Sequence, residues 1–490
     1  MLKNIIVAVL SVLSFSVPSF ARSFNLDSVR ADGLPAIEVP AVNGAAAATV
    51  PATPKEWTII YYSTTKDKLR LSFLSQLLQM KMNGSTDKVN VLLEGSFPMQ
   101  MDDGSISTPT VRLALGRPWT MEFLEQQLAP AIADDGTIKE AFIPAMAEDL
   151  ISRENNVDTG DWRRAAAFAK WAKANYPARR YAFVMFGHGN GFFDPKKTNA
   201  KNTLLDTDTR NYVTVPEMRL LMAEAGRVDI LVMQSCLMQM AETVWQVRDY
   251  TEAVVGSSEL MWSTGYDFPG MIKLLTADPG ITVPDLGAWL ANGYVERVKT
   301  GKKSGHASVI PTAALPGFAV KVDAWVDAVM ALKDRRLLYP AIEKVARFDI
   351  FGVTAGDPAT AESPAIVAQA AKVSLSGDIY DFVRLVNESL TDGSAESEAA
   401  RARGTDLMNY ISGTLVTSYF SHGKSAAGSD FSLARGISAH LPQQQYLALP
   451  EARNKSRGGL ETPYWDIPFV KETKWGAFLH WLYKHNVEAR

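Results

Sequence analysis

Cysteine is almost missing from this chain: Cys236 is the only one in 490 residues. A disulfide within the chain is thereby excluded, and so is a zinc site built on paired cysteines. Histidine is scarce as well, with six residues in all, too few for a His-rich metal tract. Charge of either sign is not in excess. The formal net charge is −3, without a block of like charges, so electrostatics gives no ground for a nucleic acid or an anionic membrane surface as partner. A G-x-S-x-G elbow and a phosphate loop are both absent, which argues against a lipase-type hydrolase and an NTPase. Past the N-terminal segment no stretch reaches the roughly 18 uninterrupted apolar residues of a membrane helix. No internal repeat is visible.

What is present is an ordinary globular composition, 47% hydrophobic and 21% charged, in a chain long enough for two or three domains. The start, MLKNIIVAVLSVLSFSVPSFARSF, reads as a secretory signal peptide over residues 1–21. Lys3 supplies the positive end, Ile5 to Val17 an apolar core too short to span a bilayer, and Ser19 and Ala21 the small residues before a cut. The expected product is an exported protein, periplasmic or extracellular, without a membrane span once the signal is removed. In such an oxidising compartment a lone thiol is either hidden in the core or used.

Residues 22–56, rich in Ala, Pro and Val and lacking any period, read as a linker or pro-segment. Order is expected from Trp57, with the buried strand WTIIYYS, a helix presenting Leu69, Phe73, Leu77 and Met80, and the strand VNVLLEG. TVRLALG reads as an edge strand or hairpin partner. DTGDWRRAAAFAKWAKANYPARR is a helix with Trp162, Ala165, Ala169 and Ala172 on one face and Pro177 as its stop. Then come the strand YAFVMFG, a long polar loop, a helix near VPEMRLLMAEA, the strand DILVMQS, a helix from Leu237, and the strand EAVVGSS. Fully apolar strands alternating with helices indicate an α/β fold, a mostly parallel sheet flanked by helices. We place this domain at residues 57–300. Residues 301–490 read as a mixed C-terminal domain or extension, with a helix around Phe318 to Leu332 and a closing helix KWGAFLHWLYK. The polar stretch Asn387 to Asp406 lies between them as a surface loop or disordered insert.

Two runs carry chemistry. YAFVMFGHGNGFFD ends an apolar strand on His188 among Gly187, Gly189 and Gly191; VDILVMQSCLMQMAE ends another on Cys236. In an open parallel sheet, functional residues collect at the carboxyl ends of the strands. If the two strands are neighbours, His188 and Cys236 form a base and nucleophile pair. A helix starting at Leu237 would direct its positive end at the thiol. The N–H groups of Gly189 and Cys236 would form an oxyanion site. The bland alternative is a core cysteine and a histidine satisfied in a turn.

The order WTIIYYS, YPARRYAFVMFGHGNGF, VTVPEM, VDILVMQSCLMQMAE, AVVGSSELMWSTGYDF resembles the clostripain family of cysteine peptidases. The resemblance spans about Trp57 to Leu275 and continues loosely through ARGISAHLP and WGAFLHWL. It implies a caspase-like fold and peptidase activity on protein or peptide substrates, with His188 as catalytic histidine, Cys236 as nucleophile, Gly189 at the oxyanion site and Glu242 as the acid closing the motif C-L-M-x-x-x-E. We read Glu242 as a structural partner. One departure stands out. The family's aspartate two residues before the nucleophile is Gln234 here, and an amide lacks the ion pair that makes arginine recognition strong. Glu259, with Ser257 in SSEL, falls where the family also builds its substrate pocket. The P1 preference is therefore either Arg/Lys or altered by Gln234.

The resemblance also implies self-cleavage in the loop between His188 and Cys236, which carries Lys196, Lys197, Lys201 and Arg210. An uncut surface loop is the alternative. Asp206 to Glu217 has acids at three positions of a calcium-loop pattern but Asn211 where the glycine belongs. No cofactor is called for; calcium at an unassigned site stays open, as does the oligomeric state. His306, His422, His440, His480 and His485 lack comparable contexts. The runner-up function is an exported binding protein on the same fold with a silent site.

Overall fold

The computed structural model describes residues 54–133, 137–192, 203–332, 334–348, 375–425, 428–443 and 464–488. The signal peptide, all of the linker up to residue 53, and the lysines of the loop between His188 and Cys236 lie outside the described residues.

Nine strands form one sheet: β1 (Lys55–Ser63), β2 (Val89–Ser96), β3 (Thr110–Ala114), β4 (Leu150–Glu154), β5 (Ala178–Phe186), β6 (Val228–Gln234), β7 (Thr251–Gly256), β8 (Gly305–Pro311) and β9 (Ser418–His422). Their order is β9-β8-β7-β6-β5-β1-β2-β3-β4. The five central strands, β7 to β2 in that order, are parallel, and both margins are antiparallel. TVRLALG is thus paired on both sides rather than an edge strand. The parallel strands are apolar throughout because both faces are covered. Ile60, Tyr62, Phe183, Met185, Leu231 and Met233 enter one core; Ile59, Tyr61, Val184, Ile230 and Val232 enter the other.

Helix α1 (Arg70–Lys81) packs on the second face, with Phe73, Leu77 and Met80 buried. On the first face lie α2 (Trp162–Asn175) and α3 (Val215–Ala225). Asp161 caps α2 through the Arg163 N–H, and Thr214 and Glu217 form a reciprocal capping box on α3. Since the connection after β1 goes to one face and that after β5 to the other, the chain reverses direction across the sheet between β1 and β5. Ligand crevices form at such a point.

The strands on either side of residue 300 belong to one sheet, β7 and β8 pairing from Ala253↔Pro311 to Gly256↔Ser308. The polar stretch from Asn387 is not a loop or a disordered insert. Most of it forms a helix, Ala395–Tyr410, capped by Ser394 and burying Ser397, Ala400, Gly404 and Leu407. A small sheet joins Arg347–Phe348, Ser376–Asp378 and Ser438–His440. It touches the segment after β6 through the bridge Met240↔Ser438.

Candidate active site

Strands β5 and β6 are neighbours, in a register that sets Phe186 opposite Gln234. Two residues further along each strand stand His188 and Cys236, so the parallel pairing brings both to the same carboxyl edge. Gly189 lies against the backbone of Cys236: a Cβ there would sit 2.2 Å from the Cys236 carbonyl oxygen and 2.8 Å from its nitrogen. Only glycine permits this approach. Both side chains are largely covered, His188 being 6% and Cys236 8% exposed.

The helix expected at Leu237 does not start there. Leu237 has φ of 63°, in the left-handed region, and the helix begins only at Ala241. A branched apolar residue in that conformation costs on the order of 1–2 kcal/mol. It is held by its own N–H, which donates to the Glu259 carbonyl at 3.2 Å, and by burial of its side chain. No helix starts directly after the thiol of Cys236. Its sulfur instead receives the backbone N–H of Met261 at 3.2 Å, from the segment after β7.

Glu259, in that same segment, accepts its Leu260 N–H at 2.7 Å, and its own N–H donates to Ser257 Oγ at 3.0 Å. Both residues are buried. Beside them the Tyr294 hydroxyl accepts the Trp262 N–H at 3.1 Å. Burial raises the Tyr294 phenol strongly, opposed by that hydrogen bond and reinforced by the neighbouring acidic groups Cys236 and Glu259. Trp262 itself is 43% exposed, its indole donating to Ser304 O with the Lys303 ammonium over the ring.

Gln234 is buried on the second face. Its Oε1 accepts the Tyr266 N–H at 3.1 Å and Gln76 Nε2 at 3.3 Å, and Gly265 leaves room for it. Glu242, also buried, accepts the His440 N–H at 2.8 Å and the Tyr464 hydroxyl at 2.9 Å on Oε1. Burial pushes its carboxyl up to about 7, against the hydrogen bonds that lower it. It ties the C-terminal segment to the helix after Cys236. Phe192, just past the His188 turn, packs on the same His440 and Tyr464 rings.

The residue that sequence reasoning missed is Asp67, in the turn after β1. Its Oδ2 lies 2.7 Å from His188 Nε2, and its Oδ1 accepts the Leu69 N–H at 3.0 Å. A short polar run after a buried strand was the only signal, and it reads equally well as the start of α1. The calcium-loop pattern is dissolved by the structure. Asp206 is buried against Lys66 at 2.8 Å and Thr159, and Glu217 belongs to the capping box of α3. Burial works to raise the Asp206 carboxyl, but the hydrogen bonds from Lys66 and Thr159 hold it below its usual value. Among the described residues no cluster of His, Cys, Asp and Glu is placed to hold a metal ion, and no helix is long and apolar enough to cross a membrane.

Comparison with known proteins bears on the same elements. The model of the clostripain family, Peptidase C11, matches residues 137–481. Clostripain of Hathewaya histolytica is 24% identical over 243 residues, covering 46% of this chain and 44% of that protein; the chain thus spans less than half the length of this curated relative. A secreted C11 cysteine protease from Bacteroides thetaiotaomicron, solved with an irreversible peptide inhibitor, superposes with a TM-score of 0.54 at 16% identity, over 86% of this chain and 99% of that one. An inactive zymogen C11 protease from Parabacteroides distasonis gives 0.53 at 15% identity, with the same coverage. At these identities the two structures establish the shared α/β fold.

Proposed function

The chain belongs to the clostripain family, and on that premise we propose that it is an exported cysteine endopeptidase whose cleavage chemistry is carried by Cys236 and His188. The observation that supports this most is the register of β5 and β6, which sets both residues on one sheet edge beside a crevice-forming reversal of the chain. His188 takes the thiol proton as Cys236 sulfur adds to the scissile carbonyl. The N–H groups of Gly189 and Cys236 receive the oxyanion. The imidazolium then protonates the leaving amine as the C–N bond breaks. Water, deprotonated by His188, releases the acyl group as a carboxylic acid and restores the thiol.

The altered pocket supports a P1 preference away from Arg and Lys. Gln234 carries no charge, and its carbonyl oxygen is already engaged by Gln76 and Tyr266. One oxygen of the Glu259 carboxylate is engaged by the Leu260 N–H of its own segment. Export is proposed from residues 1–21.

The test is cleavage of a mixed peptide library by the purified protein, with Cys236→Ala and His188→Ala as controls. Cutting that vanishes in both variants, with neutral or polar residues enriched at P1, is the expected result. Cutting that survives Cys236→Ala would sink the assignment, and enrichment of Arg and Lys would overturn the pocket reading. No cutting at all, even after limited proteolysis, would favour the binding-protein alternative.

A further inference from the structure

We propose that Asp67 is the positioning residue for His188 and fixes which ring nitrogen serves as the base; this rests on the cysteine-peptidase reading above. An ionised carboxylate only accepts hydrogen bonds. With Asp67 Oδ2 at 2.7 Å from Nε2, the ring proton of neutral His188 sits on Nε2, and Nδ1 carries the basic lone pair. Nδ1 is then the atom that takes the Cys236 proton and later hands it to the leaving amine, while the Asp67 carboxylate offsets the positive charge on the ring between those steps.

The carboxylate and the turn that carries it are both held, which separates a positioning device from a chance contact. Its second oxygen is satisfied by the Leu69 N–H. The turn that carries it is tied to the histidine strand by the Thr64 N–H on Phe186 O at 3.0 Å. The preceding residue, Lys66, drives its ammonium into a buried site made by Asp206 at 2.8 Å, Asp208 at 3.3 Å and the Val157 carbonyl at 2.8 Å. The backbone after that loop's start returns to the histidine, with the Leu204 N–H on the His188 carbonyl at 3.2 Å. Asp67 and His188 thus stand on opposite sides of the reversal between β1 and β5, joined by turns that are both anchored.

The charged groups around this pair set what a pH measurement reads. Arg70 reaches the Asp67 carbonyl; Lys66 is neutralised by Asp206 and Asp208; Glu259 and Tyr294 stand near the thiol.

Asp67→Asn keeps the shape and removes the charge. The expected outcome is a kcat lowered on the order of 10²-fold, KM little changed, since proton transfer and not substrate contact is affected. The limb of the pH profile that reports loss of the imidazolium proton should move to lower pH by about one unit or more, since an opposite charge has been taken from beside the ring. Asp67→Glu should recover part of the rate. Independently of any substrate, ¹⁵N-histidine NMR of the unmodified protein should place the neutral ring proton on Nε2, and iodoacetamide trapping of Cys236 should show the same displaced limb in Asp67→Asn. A ring proton on Nδ1, or an Asp67→Asn protein with unchanged kcat and pH limbs, would overturn the proposal. If the protein cleaves nothing, the peptidase reading fails, whereas the NMR and alkylation measurements still decide the role of Asp67. If Asp67→Asn does not fold, the tautomer in the unmodified protein decides it.

Discussion

A methyl group at position 189 would collide with both backbone polar groups of Cys236. This makes Gly189 the sharpest single-residue probe of the oxyanion reading. Gly189→Ala should lower kcat/KM on the order of 10²-fold by displacing the two N–H groups, while Cys236 stays reactive to iodoacetamide. Unchanged kcat/KM would show that these N–H groups do not hold an oxyanion. At this scale the placement of His188 and Cys236 on one sheet edge is legible because each follows a local signal, an apolar strand that breaks into small or polar residues at its end. Asp67 was not, because its partner lies 121 positions away and nothing local marks it. The turn after Cys236 misled for a different reason. Leu237, Met240, Ala241 and Val244 have helical spacing, yet all four enter the core on the first face without sharing one helix, and the left-handed Leu237 delays the helix to Ala241.

An element is legible in the sequence where its cap and its apolar stripe agree. VPEMRLLMAEA is α3 as the sequence predicts, and its first turn shows why. Thr214 Oγ1 accepts the Glu217 N–H while Glu217 Oε2 accepts the Thr214 N–H. Thr214→Ala should cost about 1 kcal/mol, read as a lower urea midpoint with kcat/KM unchanged; an unaltered midpoint would mean that packing of Met218, Leu221 and Met222 alone holds the helix. The helix Ala395–Tyr410 is hidden in the sequence because its buried stripe, Ser397, Ala400, Gly404 and Leu407, is nearly free of large apolar residues. Hydrophobic periodicity is silent there. Close approach is nevertheless needed, as a Cβ at Gly404 would sit 2.3 Å from Asn387 Oδ1. The readable signal was the cap, Ser394 followed by Glu396 and Glu398 in the first turn.

Across the whole molecule, the alternation of strands and helices made the fold class legible, whereas the two antiparallel strands β8 and β9 at one margin were not, since each needs a partner far along the chain. Burial of ionisable groups links these distant parts to pH. His306 on β8 is fully buried among Phe348, Tyr419 and Phe431 and its imidazole is pushed down to about 3 by burial. Below its ordinary value of 6.5 the unfolded chain takes up a proton that the folded chain refuses, so this group's contribution falls as pH drops from 6.5 towards 3. Glu242 is the opposite case. Its carboxyl, raised to about 7 from 4.5 by burial, stays protonated in the fold when the unfolded chain has already ionised, so its contribution is lost as pH rises through that window. Glu242→Gln removes that loss. Its stability relative to the unmodified protein should improve between pH 5 and pH 7, by at most about 1.4 kcal/mol per pH unit; parallel curves of urea midpoint against pH would contradict it.

In the proposed reaction the Cys236 sulfur, activated by His188, attacks an acyl carbon presented at the carboxyl edge of the sheet. Its most direct test is to treat the purified protein with a peptidyl chloromethyl ketone and map the adduct by mass spectrometry. One adduct is expected, on Cys236, formed at a rate that collapses in His188→Ala. A protein that cuts peptides yet carries no adduct on Cys236 would contradict it.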